Sequence, residues 1–242
     1  MARSESRFEL KYRLPVARAE AFKRAIAPFT VRDAYAANEP WYLVNSIYFD
    51  SSVMDFYFDK IDGHRDRQKV RFRWYGEDSA RGYLEIKEKT RSSVRKLRQS
   101  MLLETLRVWW EAGCNAALAP DVEPIRPEYA WLFGRYALRP VTLVRYLREP
   151  YEAIREDRVR ITFDHAVVAG SVTLDAWKTG AFQTIFPQDF VILEMKFNDA
   201  IPVWLMDLVR AFQLTLDKIS KYCLAVETID EARENSARRA HG

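Results

Sequence analysis

Apolar and polar residues alternate most clearly in a few short runs of the chain. In KVRFRWY, Lys69 to Tyr75, the side chains of Val70, Phe72 and Trp74 fall on one side of an extended backbone, and Arg71 and Arg73 fall on the other. In Gly82 to Lys89, Leu84 and Ile86 oppose Glu85, Lys87 and Lys89. The same two-residue period runs through RFELKY, RVRITFD and FVILEMKF and predicts strands there. Tyr42 to Phe49, VTLVRYLR, SVTLDAW and a weaker run over Val94 to Gln99 add further strands. A period of three to four predicts helices. Pro15 opens one, with Ala19, Phe22, Ile26 and Phe29 along one side. A helical block runs from about Ser100 to Leu138, broken at APDVEPIRP, with Leu103, Leu106, Trp109 and Trp110 as its core face. Pro202 starts a third, PVWLMDLVRAF, and SSVMDFYFDKIDG is a short helical or irregular connection.

Helices inserted between groups of strands, rather than alternating strictly with them, predict an antiparallel α+β fold. At about eight strands, a closed eight-stranded antiparallel β-barrel with helices packed around it is the expected form. The 242 residues, 48% of them hydrophobic, suffice for one large domain over residues 1–242, and no break in composition divides them. Its core is expected over about residues 7–222, and the polar end EARENSARRAHG, about 231–242, reads as a tail.

Composition removes several kinds of chemistry. Cys114 and Cys223 are too few for a disulfide scaffold or a zinc motif, and His64, His165 and His241 are scattered, against a histidine metal site or a Ser-His-Asp triad. No run approaches the roughly 20 apolar residues of a membrane span, and the first residues lack a signal peptide's apolar stretch. A cytoplasmic, soluble protein is the expectation. The net charge of +4 is modest, so the placement of the 38 Lys and Arg matters more than their total.

That placement is on the polar strand faces. Arg71 and Arg73 share one face, Arg158 and Arg160 oppose Val159, Ile161 and Phe163, and Glu194 and Lys196 oppose Val191, Leu193 and Met195. A Glu-x-Lys pair recurs at Glu9 and Lys11, Glu85 and Lys87, and Glu194 and Lys196. A wet face of an antiparallel sheet also carries charge. These faces, however, carry mostly cations with single glutamates among them, and Arg grips phosphate in a planar, bidentate manner. The alternative is a barrel with apolar faces outward under helices and charged faces lining a tunnel for a polyanion. Neither a Walker loop nor G-x-G-x-x-G occurs, so side chains must hold any phosphate.

FELKY, VRFRWYG, LEIKEK, RITFD, ILEMKF and DKISKY, in this order over roughly Arg7 to Tyr222, resemble the VTC domain. This is the polyphosphate polymerase branch of the triphosphate tunnel metalloenzymes, within the CYTH-like superfamily. The resemblance implies a tunnel that binds ATP and polyphosphate with Mn2+ or Mg2+. It further implies a basic lining of Lys11, Lys60, Arg71, Arg73, Lys87, Arg145, Arg160, Lys218 and Lys221, with Glu194 as the metal ligand. Arg71, Arg73, Lys87, Arg145, Arg160, Lys218 and Lys221 are the catalytic candidates. Lys11, Lys60, Lys96, Lys196, Glu9 and Glu85 are substrate-binding candidates, the two glutamates as orienters of neighbouring bases. Arg95 and Arg98 compete with Lys96, and Arg158 with Arg160.

Hydrolytic relatives begin E-x-E-x-K, whereas this chain has Arg7-x-Glu9-x-Lys11. Losing one metal-side carboxylate favours an already ionised phosphate nucleophile over an activated water. The expected activity is therefore transfer of the γ-phosphoryl of ATP to a growing polyphosphate chain. Alternatives are a tripolyphosphatase and a non-catalytic module for polyphosphate or inositol phosphate. RNA binding is disfavoured because Trp74, Trp109 and Trp110 fall at core positions. No nucleic-acid partner is expected. The eukaryotic relatives' phosphate-sensing domain and membrane helices have no counterpart here, so a separate membrane partner is left open.

Overall fold

The computed structural model describes residues 7–33, 39–77, 80–91, 93–114, 124–156, 159–172 and 181–240, without the side chains of Arg7 and residues 231–240. SVTLDAW lies outside them from residue 173 onward, as do Arg158 and His241. The chain divides into two compact units, residues 1–43, 146–167 and 186–220, and residues 44–145, 168–185 and 221–242.

In the first unit, β1 (Arg7–Pro15) pairs antiparallel with β10 (Phe190–Asn198), and β10 pairs with β8 (Arg160–Ser171). The short β2 (Thr30–Arg32) pairs with the end of β7 (Arg139–Ala153). Helices α1 (Val16–Ile26) and α5 (Val203–Ala211) follow Pro15 and Pro202 directly. Proline's fixed φ suits a helix start, where its missing N–H goes unused. Tyr12, Leu14, Phe163, Leu193 and Met195 pack against Phe22 and Ile26 of α1 and Leu205 of α5 in one apolar cluster. Phe29 lies beyond α1 and stacks on Trp204, centroids 4.7 Å apart.

In the second unit, β3 (Tyr42–Asp50), β4 (Arg67–Tyr75), β5 (Arg81–Lys89) and β6 (Val94–Leu102) pair in that order, all antiparallel. Ile47, Phe49, Val70, Phe72, Leu84 and Ile86 pack on Leu106 and Trp109 of α3 (Leu103–Glu111) and on Leu132 and Phe133 of α4 (Pro127–Tyr136). Gly82 lets β4 and β5 approach. A Cβ there would stand 2.6 Å from the Arg73 carbonyl and the Phe72 ring. Helix α2 (Asp55–Ile61) is held by Asp50, whose carboxylate accepts from the backbone N–H of Phe56 and Tyr57 and from the Tyr222 hydroxyl. The two-residue β9 (Gln183–Thr184) pairs with β8.

The closed eight-stranded barrel requires correction. The hydrogen-bonded order is β1-β10-β8-β7-β3-β4-β5-β6, with β2 and β9 attached to its side, ten strands in all. No pairing joins the end strands β1 and β6 among the described residues, so the sheet is open. The additional strands are three and two residues long, too short to show a period. Two helical boundaries also differ from expectation. Ser100 to Leu102 belong to β6, and α6 (Lys221–Ala240) continues through the stretch expected as a tail.

Candidate functional site

Each unit carries charged side chains, the candidate site residues, on the strand face opposite its apolar cluster. In the first unit, antiparallel pairing of one Glu-x-Lys with another sets Glu9 opposite Lys196 and Lys11 opposite Glu194. Each carboxylate therefore faces an ammonium across the strands as well as along them. Lys11 lies 3.1 Å from Glu9 and 3.7 Å from Glu194, and Lys196 pairs with Glu194. Burial works against the Lys11 ammonium, but Glu194 and Glu9 outweigh it and push its pKa up to about 12. At Lys196 burial prevails, aided by Arg148, and the pKa falls to about 8.

Arg148 and Asp164 form the deepest ion pair of this face. Arg148 donates to both carboxylate oxygens of Asp164 at 2.6 and 2.8 Å, with Asp164 fully buried and Arg148 only 8% exposed. Burial disfavours the guanidinium charge, but the Asp164 carboxylate holds its pKa well above the ordinary arginine value. Arg148 also stands 3.9 Å from Glu194. Glu194, 4% exposed, is thus a carboxylate among three cations. Arg160 lies opposite Lys196 in the β8–β10 pairing and bonds to Asp33. Its Nε and the hydroxyl of Thr162, the residue opposite Glu194, are buried without a hydrogen-bond partner.

In the second unit, Lys69, Arg71 and Arg73 alternate with the core residues of β4, and Lys87 lies between Lys69 and Lys96 in the pairing of β4, β5 and β6. Glu85 sits between Arg71 and Arg98, at 2.7 and 3.5 Å. Burial would raise its pKa, yet Arg71 and Arg73 hold it below the usual carboxylate value. Arg73 donates to Ser46 at 3.2 Å. Arg95, a competitor of Lys96, has the opposite strand parity and pairs with Glu88 and with Glu128 of α4. Lys96 and Arg98 are the residues that share the Lys87 face.

Several expected site residues lie off the charged strand faces. Arg145 donates to Asn45 at 2.8 Å and lies over Phe182, 4.7 Å from the ring centroid. Asn45 is opposite Trp74, so Arg145 belongs to the apolar side of the second unit rather than to the Arg71 and Arg73 side. Lys60 is in the last turn of α2, not on a strand. Lys218 is exposed on a segment that runs beside β1, where the Asp217 N–H donates to the Lys11 carbonyl at 2.9 Å. Lys221 begins α6 and is buried.

Tyr48 was not anticipated as a site residue. It is 2% exposed and lies opposite Arg71, with the Lys69 ammonium 4.6 Å above its ring. Burial alone would raise its pKa, but Lys69, Arg71 and Arg73 together bring it down to about 7. An unfolded tyrosine ionises near 10. The ionised phenol's contribution to stability is therefore complete above about pH 10 and lost as pH falls through about 7. Ultraviolet titration should show one tyrosinate forming near neutrality, absent in Tyr48→Phe. Tripolyphosphate should move that transition upward, since an added anion opposes the phenolate; a wild-type titration matching Tyr48→Phe would refute the assignment.

Pairing and faces define an antiparallel α+β protein whose strands present cations interrupted by single carboxylates, a surface suited to a phosphorylated polyanion. The chain belongs to the VTC domain family, whose model matches residues 6–229. Membership supports a phosphate-related function and a phosphoryl-transfer enzyme. No curated protein matches the chain. Among solved structures, an adenylate cyclase candidate from Bacillus halodurans is similar with a TM-score of 0.49 and 12% identity, over 88% of this chain and 94% of the other. The PH1819 protein of Pyrococcus horikoshii OT3 is similar with a TM-score of 0.45 and 15% identity, over 91% and 99%. No helix among the described residues is long and apolar enough to cross a membrane.

Proposed function

We propose that the protein is a polyphosphate polymerase that transfers the γ-phosphoryl of ATP to the end of a polyphosphate chain. The observation that carries this reading is the pattern of buried and half-buried cations around single carboxylates in a VTC domain. A terminal phosphate oxygen of the chain attacks the γ-phosphorus, the bond from that phosphorus to the β,γ-bridging oxygen breaks, and ADP leaves. No general base is required, because the nucleophile is already ionised. In the second unit Arg71, Arg73, Lys87 and Lys96 neutralise phosphate oxygens. In the first, Lys11, Lys196, Arg148 and Arg160 do so. Lys60, Lys218 and Lys221 are assigned to phosphate contacts by the family resemblance alone.

The oxygen donors present suit Mn2+ or Mg2+ only when phosphate completes the coordination. No group of three or more His, Cys, Asp or Glu among the described residues could hold a metal alone. Glu194, with Glu9 near the shared Lys11, is the carboxylate that would hold it, and the unpartnered hydroxyl of Thr162, opposite Glu194, would supply a further oxygen. Such an ion, when bound, draws charge from the phosphate oxygens.

Incubation with ATP and manganese should give ADP and a lengthening polymer resolved on a gel. Free phosphate equal to ADP, without polymer, would make the protein a hydrolase. Tight tripolyphosphate binding without turnover would make it a binding module.

A further inference from the structure

The charged face of the second unit ends in aromatic side chains that phosphate chemistry does not require. On β5, Tyr83 shares its face with Glu85 and Lys87 and lies opposite Arg73 in the β4–β5 pairing. The guanidinium carbon of Arg98 stands 3.5 Å from the centroid of the Tyr83 ring, and the ring of Tyr75 meets Tyr83 edge-on at 6.5 Å. Arg98 is held from behind by Glu85, yet half of its side chain is exposed, and Tyr75 is 38% exposed. A planar guanidinium on a tyrosine ring makes a ready surface for a further flat group.

We propose that Tyr83 and Arg98 form a stacking site for the nucleobase of a nucleoside triphosphate. The proposal rests on the phosphoryl-transfer reading above and adds to it the end of the strands at which the base lies. Lys87 and Tyr83 are four positions apart, about 13 Å along a strand, which leaves length for phosphates and a ribose before the base. Arg71, opposite Glu85 and so between the levels of Tyr83 and Lys87, stands where phosphates of the same nucleotide would lie. Stacking offers a π-face to any base and reads no hydrogen-bond pattern. The site therefore separates nucleotides from inorganic phosphates while discriminating little among bases.

Calorimetry in the presence of a chelator, so that no turnover occurs, tests this with ATP, GTP, CTP and inorganic tripolyphosphate as ligands. Tyr83→Leu should weaken each nucleotide about tenfold and leave tripolyphosphate unchanged, and Tyr83→Phe should match wild type. The unchanged tripolyphosphate affinity also verifies that the variant is folded. Equal losses for nucleotides and tripolyphosphate, or no loss for either, would overturn the stacking site while leaving the phosphate reading in place. Wild-type protein that binds none of the four ligands would remove the phosphate reading and the stacking site with it.

Discussion

Replacing Arg148 with methionine is expected to destabilise the protein by about 3–5 kcal/mol, because it takes away the guanidinium from which both oxygens of the buried Asp164 carboxylate accept. Asp164 is fully buried, and both of its oxygens accept from Arg148. Its burial is sustained by that guanidinium. Glu194, 3.9 Å from Arg148, loses a neighbouring cation as well, although Lys11 and Lys196 continue to balance it. Urea denaturation would measure the loss. The double variant Arg148→Met with Asp164→Leu should recover most of it, since replacing both partners by apolar groups removes the buried carboxylate together with its guanidinium. Its affinity for tripolyphosphate should nevertheless remain below wild type, because a cation of the face is missing. A single variant within about 1 kcal/mol of wild type would show that the pair does not carry the stability its burial implies.

The same pair illustrates what the sequence could disclose. In β1, β4, β5 and β10 one face meets an apolar cluster and the other carries charge, so alternation announces both the strand and the face of each residue. Arg71, Arg73, Lys87, Lys11 and Glu194 are legible for that reason. β7 gives no such signal. Leu143, Val144 and Tyr146 are all buried, so both faces of VTLVRYLR read as apolar. Arg145 and Arg148 are three residues apart and thus point to opposite faces, and local pattern does not say which one joins the charged side. The resemblance points to Arg145. The structure instead sets Arg148 beside Asp164 and Arg145 beside Asn45.

Other features escaped because their determinants are distant or ambiguous. Asp33 and Arg160 are 127 residues apart, and their pairing exists only through the fold. Tyr48 falls within a predicted strand, Tyr42 to Phe49, that carries no charge itself, and the cations around it come from β4. The run Met101, Leu102, Leu103 fits either a strand end or a helix start, and the β6–β5 pairing decides for the strand through Leu102. The end of α6 lacks apolar spacing, yet Glu, Ala and Arg favour helix strongly enough to extend it past the packed turns. Tyr75 and Tyr83 lie on the charged face of alternating strands, a position legible in sequence but without meaning until Arg98 is set on the ring.

Glu194→Gln is expected to reduce manganese-dependent turnover roughly 100-fold or more, on the assignment of Glu194 to the metal. It should at the same time strengthen metal-free binding of tripolyphosphate. The two effects have one origin. Glutamine keeps the shape and an oxygen but removes the negative charge around which Lys11, Lys196 and Arg148 are gathered. Without it, the mutual repulsion of those cations is no longer offset at this position, and an arriving polyanion relieves it. Lys11 should lose part of its upward pKa shift, because Glu194 is the largest contribution raising it. A fold weakened by this repulsion should be stabilised by tripolyphosphate more than wild type is, since a ligand that binds only the folded state stabilises more the tighter it binds, by the logarithm of its affinity. Turnover measured across manganese concentrations, with calorimetry in the presence of a chelator, separates the alternatives. Equal rates for variant and wild type at every manganese concentration would reject Glu194 as the metal ligand. Loss of turnover together with weaker metal-free binding would instead mean that Glu194 acts by holding Lys11, Lys196 and Arg148 in place for the phosphates.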